Sequence, residues 1–450
     1  MKETLYDLAV IGGGTAGLVC AAGAAGLGAR VALIERNRLG GECLYTGCVP
    51  SKALLHGARR SGEFAAAMAH VAASIAAIAP HDSPERLSRL GVEVIFGDAA
   101  FSGRDAIRAG ERVVRFRRAV IATGSRASVP PIPGIEGTGY LTNDTLFSLT
   151  AQPRTLAILG GGPAGCEMAQ AFACLGTNVT LLEAGPRILP RDDPDAAAVL
   201  SRRLTRDGVT VLTDVHVSSA AREGGAIVLA HDGGRIVADA LFVAAGRTPN
   251  VDGLDLAAAG VRTGADGIHV DDYFRTTNRR IFASGDVCSR WRFTHAADAM
   301  SRAVVENALF LPRRRGTRLL IPWCTFTAPE IAHVGVDAVD AARAGLSTIT
   351  VPLAEVDRAT LDGDTDGFVR LHHANGRLRG ATIVAPHAGE LIGAVALLIS
   401  TGATMRDLAS AIFPYPTVSV ALRQAGDAYR RASLTPGVRA ALRAWFALRR

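Results

Sequence analysis

Lysine is almost missing from this chain. Of its 49 basic residues only Lys2 and Lys52 are lysine, and all the others are arginine. A sequence that has turned to arginine everywhere else and keeps lysine at 52 needs a compact ammonium there, not a planar fork. Long apolar runs are missing too: none reaches the ~18 residues of a membrane span, and the chain enters a strand almost at once, with no signal peptide. We therefore expect a cytoplasmic protein. The seven cysteines are odd in number, and no second ligand pair at zinc spacing accompanies them; His372 and His373 are adjacent, at a strand end. This speaks against a disulfide framework and a zinc site and for a catalytic pair in a reducing compartment. Cys20, Cys166, Cys174, Cys288 and Cys324 stand singly among small or apolar residues and read as buried structural thiols. The net charge of +7 comes from arginines scattered among acids, a dispersed basic surface and not a nucleic-acid groove. The last segment, 435–450, is basic and amphipathic and carries Trp445 and Phe446; we expect a docked terminal helix in preference to one lying on a membrane.

What is present is organised around thirteen residues, GGECLYTGCVPSK at 40–52. They place Cys43 and Cys48 five positions apart. On a regular helix that spacing gives a rise of about 7.5 Å, beyond the ~7 Å at which two Cα atoms can be bridged. Either the pair is unbonded or the backbone between is not regular helix. Gly47 permits a tighter path, and Pro50 suits the first turn of a helix opening near Cys48. A thiol at such an N-terminus is biased towards thiolate. The layout reads as a redox disulfide.

An internal repeat decides the architecture. A short apolar strand at 8–11 leads into GGGTAG at 12–17, a helix, a strand at 31–34 and Glu35. A strand at 156–159 leads likewise into GGGPAG at 160–165, a helix, a strand at 179–182 and Glu183. The acid follows the first glycine by the same 23 positions in both copies. In each, Gly12, Gly14 and Gly17, or Gly160, Gly162 and Gly165, let the backbone approach a pyrophosphate at a helix N-terminus, and the carboxylate holds ribose hydroxyls. Two dinucleotides follow: FAD beside the cysteine pair and a nicotinamide nucleotide at the second site, NADH favoured over NADPH because Glu183 repels a 2′-phosphate, although Arg187 lies near. At 450 residues about three domains are expected. They read as an α/β fold with two Rossmann-like dinucleotide-binding domains, FAD at 1–150 and 266–318 and NAD(P) at 151–265, followed by a C-terminal α+β domain at 319–450.

At this point the chain resembles the flavoprotein disulfide reductases, the class I family of dihydrolipoamide dehydrogenase, glutathione reductase and mercuric reductase. Both glycine fingerprints, the cysteine segment, ATG at 122–124, GRTPN at 246–250 and GD at 285–286 carry the resemblance over essentially the whole chain. FPYPT at 413–417 and the GDAYRRASLTP at 426–436 look most like mercuric-reductase-like proteins. The resemblance implies a homodimer. It makes Cys48 the thiolate against the flavin and Cys43 the outer interchange thiol, and it pairs Lys52 with Glu167 near flavin N5. It further implies that Thr123, Gly124 and Asp286 meet FAD, and that Gly246 and Arg247 with the second fingerprint meet the nicotinamide nucleotide.

One departure limits the acceptor. Family members that reduce thiol disulfides carry a histidine before Pro-Thr and a glutamate three residues beyond, where this chain has Tyr415 and Val420. A phenol of reference pKa about 10 replaces a general acid–base group typically worth 10²- to 10⁴-fold. Mercuric reductases carry a tyrosine in this region, and a thiolate-bound metal ion needs no proton delivered to a leaving thiol. Against Hg(II) stand the missing N-terminal metal-capturing domain and the missing C-terminal cysteine pair. Three readings are open: a mercuric-reductase-like enzyme reducing a thiol-bound metal ion or a small disulfide; a diaphorase reducing quinones at the flavin; and a redox sensor or thiol metal-binding protein without turnover.

Overall fold

The computed structural model describes residues 4–450, and the chain divides into two compact units. The first holds the chain up to Pro186 together with Gly208–Leu319, and the second holds Arg187–Asp207 and Leu320–Arg450.

In the first unit, four apolar strands lie parallel in the order Val92–Phe96, Val31–Glu35, Leu5–Ile11 and Arg112–Ile121. Leu8, Ala9, Val10, Ala32 and Leu33 are wholly buried, the near-continuous apolar pattern of strands covered on both faces. The upper half of Arg112–Ile121 takes Ile281–Ala283 as a further parallel neighbour, and its lower half takes the strand Ala106–Ala109 antiparallel. So the chain comes back to the first sheet after a second one has been built. That second sheet is also parallel, ordered Thr210–Leu212, Asn178–Leu182, Thr155–Leu159 and Ala240–Val243. In both sheets the first strand feeds a glycine turn and then a helix, Thr15–Gly26 or Pro163–Cys174. The architecture is the expected α/β one with two Rossmann-like parallel sheets.

The second unit is a five-stranded antiparallel sheet ordered Trp323–Thr325, Glu330–Gly335, Arg377–Ala385, Phe368–Ala374 and Ser347–Pro352. Helices Ala388–Thr401 and Val420–Ala432 pack on it through Ile392, Val395, Ala421, Leu422 and Ala425. The segment 187–207 belongs here because polar anchors fasten it: Arg370 holds Asp193 and Asp195 at 2.6 and 2.7 Å, and the Trp323 indole donates to Asp192 at 2.8 Å. His372 and His373 lie near the end of Phe368–Ala374.

Three expectations need correction. One helical path, Phe64–Arg89, is long and apolar enough by length and composition to cross a membrane; its alanines, uncharged through position 81, were not recognised as a run. Regular helix nonetheless stops at Ile78, a 3-10 turn containing Pro80 follows, and a short helix, Pro84–Arg89, ends it. Phe64, Ala67 and Val71 form its buried face, Ala67 coming against Gly57 of the helix Cys48–Ser61. The terminal helix, Pro436–Ala447, is not docked on the described residues: it contains no buried residue. Cys174 is exposed, not buried, since it closes its helix at the surface.

Candidate active site

The cysteine segment is built from two helices with a break between them. A short helix, Gly41–Tyr45, carries Cys43 in its middle and stops at Thr46; a second, Cys48–Ser61, opens on Cys48 with Gly47 as its N-cap. A Cβ on Gly47 would lie 2.9 Å from the Glu42 carbonyl oxygen, so only glycine lets the two helix ends approach this closely. Pro50 sits in the first turn of the second helix, where its missing N–H costs nothing. Both conditions raised by the spacing hold: the backbone is irregular, and both thiols are free. The two sulfurs share a partner, since the Thr294 hydroxyl lies 3.2 Å from each.

The environment separates the two thiols. Cys48 is lowered to about 6, foremost by the hydrogen bond from Cys43, then by the Thr294 hydroxyl and the charge of Lys52. Cys43 moves the other way, chiefly because it is the donor to Cys48 and because it is partly buried. Cys48 therefore carries the negative charge and Cys43 keeps its proton. Thr294 opens the 16-residue helix Thr294–Leu309, so the Cys48 sulfur lies by two helix N-termini, its own and that of Thr294.

Lys52, one turn beyond Cys48, reaches Glu167 at 2.8 Å. The Glu167 carboxylate is almost fully buried and Lys52 about one-third exposed. Glu167 belongs to the helix of the second glycine fingerprint, so this pair ties the cysteine helix to the second nucleotide-binding sheet. An ammonium that neutralises a buried carboxylate beside a thiolate explains why lysine survives here in a chain that is otherwise arginine.

The residues of both fingerprints fit a dinucleotide. Gly12 and Gly160 have φ of +105° and +109°, and a Cβ on them would lie 2.4 and 2.5 Å from the carbonyl oxygens of Ala122 and Ala244. Gly17 and Gly165 come closer still to Gly12 and Gly160. The N-caps are Gly14 and Gly162, and neither helix receives a side-chain cap, which leaves the first-turn N–H groups for a phosphate. Glu35 accepts from the N–H groups of Gly13 and Asn37, at 2.6 and 2.7 Å. Glu183 does the same with Gly161 and Gly185, at 2.7 and 2.8 Å. Each acid thus braces the loop it was expected to serve.

Other expected residues are engaged within the chain. The Thr123 hydroxyl donates to the Asn250 carbonyl at 2.6 Å, and Gly124 has φ of +69°. Asp286 accepts from Ser125 at 2.6 Å. Arg247, preceded by Gly246, pairs with Glu42 and lies 2.7 Å from the Ser125 hydroxyl and 3.5 Å from Asp286. One guanidinium so gathers the cysteine segment, the ATG strand and the GD turn. Tyr415 lies in the second unit, 72% exposed, and donates to Asp357 at 3.0 Å, which raises its phenol. Thr294 and Glu42 were not picked out from the sequence. Glu42 stood inside the motif, and the only signal for Thr294 was a helix opening shortly after the GD turn.

Two glycine-loop sheets beside a close pair of thiols and a partly buried lysine–glutamate pair fit a dinucleotide-dependent oxidoreductase. Comparison with known proteins narrows this: residues 6–301 match the pyridine nucleotide-disulphide oxidoreductases and residues 321–425 the dimerisation domain of the same proteins. The chain belongs to the pyridine nucleotide-disulphide oxidoreductase family. It is 36% identical to a mercuric reductase of Acidithiobacillus ferrooxidans over 94% of this chain and 82% of that protein. With a mercuric reductase of Streptomyces lividans the identity is 34%, over 95% and 97%. The HOCl-induced flavoprotein disulfide reductase RclA of Escherichia coli superposes with a TM-score of 0.89 at 30% identity, covering 94% of this chain and 99% of RclA.

Proposed function

We propose that the protein is an FAD-dependent NAD(P)H oxidoreductase of the mercuric-reductase-like branch, in which Cys43 and Cys48 pass electrons to a thiol-bound metal ion or a small disulfide. The observation that carries this reading is the pair of sulfurs on one threonine hydroxyl, with Cys48 at the first position of its helix. Bound FAD would supply the exchange between a two-electron hydride from NAD(P)H and the Cys43–Cys48 disulfide. The chain's own residues do the rest. Gly12, Gly14 and Gly17 would seat the flavin nucleotide and Gly160, Gly162 and Gly165 the nicotinamide nucleotide, while Lys52 offsets negative charge beside the Cys48 thiolate. Arg187 directs its guanidinium to the carbonyls of Leu189 and Pro190, which favours NADH over a 2′-phosphorylated nucleotide.

Cys43 is the interchange thiol. When a metal ion arrives as the complex of a carrier thiolate, Cys43 replaces the carrier on the metal, and its own proton leaves with the displaced thiol. No histidine is needed for that exchange, in keeping with Tyr415 and Val420 at the positions discussed. The relative RclA has been solved as a Cu(II) complex, which supports a metal ion as acceptor class. We take the molecule to be a homodimer, as the dimerisation-domain match suggests, with Tyr415 reaching the partner's site, and to work in the cytoplasm.

Steady-state NADH oxidation against Hg(II), Cu(II), low-molecular-weight disulfides, lipoamide and quinones tests this. Turnover with a metal ion or a small disulfide, weak turnover with lipoamide, and loss of the metal and disulfide activities in Cys43→Ser are expected. Quinone turnover alone, unchanged in Cys43→Ser, would place the reaction at the flavin and contradict the reading.

A further inference from the structure

Among the described residues, the terminal helix Pro436–Ala447 buries none of its side chains. Val438, Ala441, Leu442, Trp445 and Phe446 recur at i, i+3, i+4, i+7 and i+8, which lines them along one stripe. All are exposed, Trp445 at 51% and Phe446 at 57%. Arg439 and Arg443 form the adjoining row, and the Arg449 guanidinium stands 4.3 Å over the Trp445 ring. Asp427 is the last acid of the sequence; beyond it come Arg430, Arg431, Arg439, Arg443, Arg449 and Arg450.

We propose that this helix is a membrane-surface anchor that lays its Val438–Leu442–Trp445–Phe446 stripe into the interface of an anionic bilayer, with its arginines at the phosphate level. Two features select this occupant. The charge is of one sign only, which complements a surface of acidic phospholipid headgroups, and the stripe ends in Trp and Phe, the residues that suit the boundary between headgroups and acyl chains. At 12 residues the helix is about 18 Å long, too short for the ~30 Å hydrocarbon core, so it lies flat. A second copy is a poor occupant: two-fold pairing would set arginine rows against identical rows in a chain of net charge +7, and the dimerisation-domain match ends at residue 425, before the helix begins.

The test is co-sedimentation of the full-length, FAD-loaded protein with phosphatidylcholine vesicles and with vesicles containing about one-third phosphatidylglycerol. Binding to the anionic vesicles alone, weakened by salt, is expected. Arg439→Glu/Arg443→Glu should lower the partition coefficient at least roughly thirty-fold. Binding of the parent should blue-shift its tryptophan emission, and Trp445→Ser/Phe446→Ser should abolish co-sedimentation. Because the helix buries nothing, both variants should keep their flavin content and NADH-dependent turnover. The proposal is overturned if neither vesicle binds, if neutral and anionic vesicles bind alike, or if the Trp445/Phe446 variant binds as the parent does. It is also overturned if that variant dissociates in sedimentation velocity without lipid, which would assign the stripe to a second copy.

Discussion

At the scale of single residues, the difference between two sulfurs five positions apart organises the site. The Cys48 thiol is lowered to about 6 from its ordinary 9, so its thiolate is present at neutral pH and lost as pH falls through about 6. Alkylation of the reduced protein by iodoacetamide, followed against pH, should show that midpoint, with Cys43 still protonated at neutral pH. Thr294→Val removes the hydroxyl 3.2 Å from both sulfurs; a hydrogen bond to a charged group is worth about 1.5–3 kcal/mol, so the midpoint should rise by roughly one unit or more. An unmoved midpoint would remove Thr294 from the account. Lys52→Met leaves the Glu167 carboxylate buried without its ammonium and should destabilise the fold by about 3 kcal/mol, whereas Lys52→Met/Glu167→Gln should recover most of that loss in thermal unfolding.

At the scale of elements, geometry is held by backbone approaches that a side chain would obstruct. Gly47→Ala would push a Cβ against the Glu42 carbonyl and displace Cys43 from Cys48. Acceptor reduction should fall on the order of 10²-fold while flavin content is kept. In the second unit, burial lowers His372 to about 4, its Nδ1 lies against Thr348 at 2.9 Å, and its Nε2 has no partner among the described residues. The folded state thus prefers the neutral ring. Its contribution is full above about pH 6.5 and is lost as pH falls towards 4, up to about 3 kcal/mol; His372→Leu should flatten that acid dependence of unfolding. These elements also show what was legible in the sequence. Both glycine turns and the break at Gly47 were readable because backbone approach is dictated by residue type, and the lysine count marked Lys52; its pairing with Glu167 came only from the family resemblance. Thr294 was not: it is 246 positions from Cys48, and nothing local marks a threonine as a sulfur ligand. The terminal helix shows the same limit, since periodicity displays an apolar face without saying what covers it.

At the scale of the molecule, the first unit carries both nucleotide loops and the sulfur pair, and the second carries Tyr415. If the partner's Tyr415 completes each site, mixed dimers distinguish a shared site from an isolated one. A Cys43→Ser subunit combined with a Tyr415→Ala subunit, both keeping the dimerisation domain at 321–425, should recover more acceptor reduction than either parent, and failure to recover it would argue against sharing. The relay itself is tested most directly by anaerobic titration of the FAD-loaded protein with NADH. The account predicts bleaching of the oxidised flavin, then a long-wavelength thiolate-to-flavin band that is absent in Cys48→Ser and fades as pH falls through about 6. An unchanged spectrum, or the same band in Cys48→Ser, would contradict it.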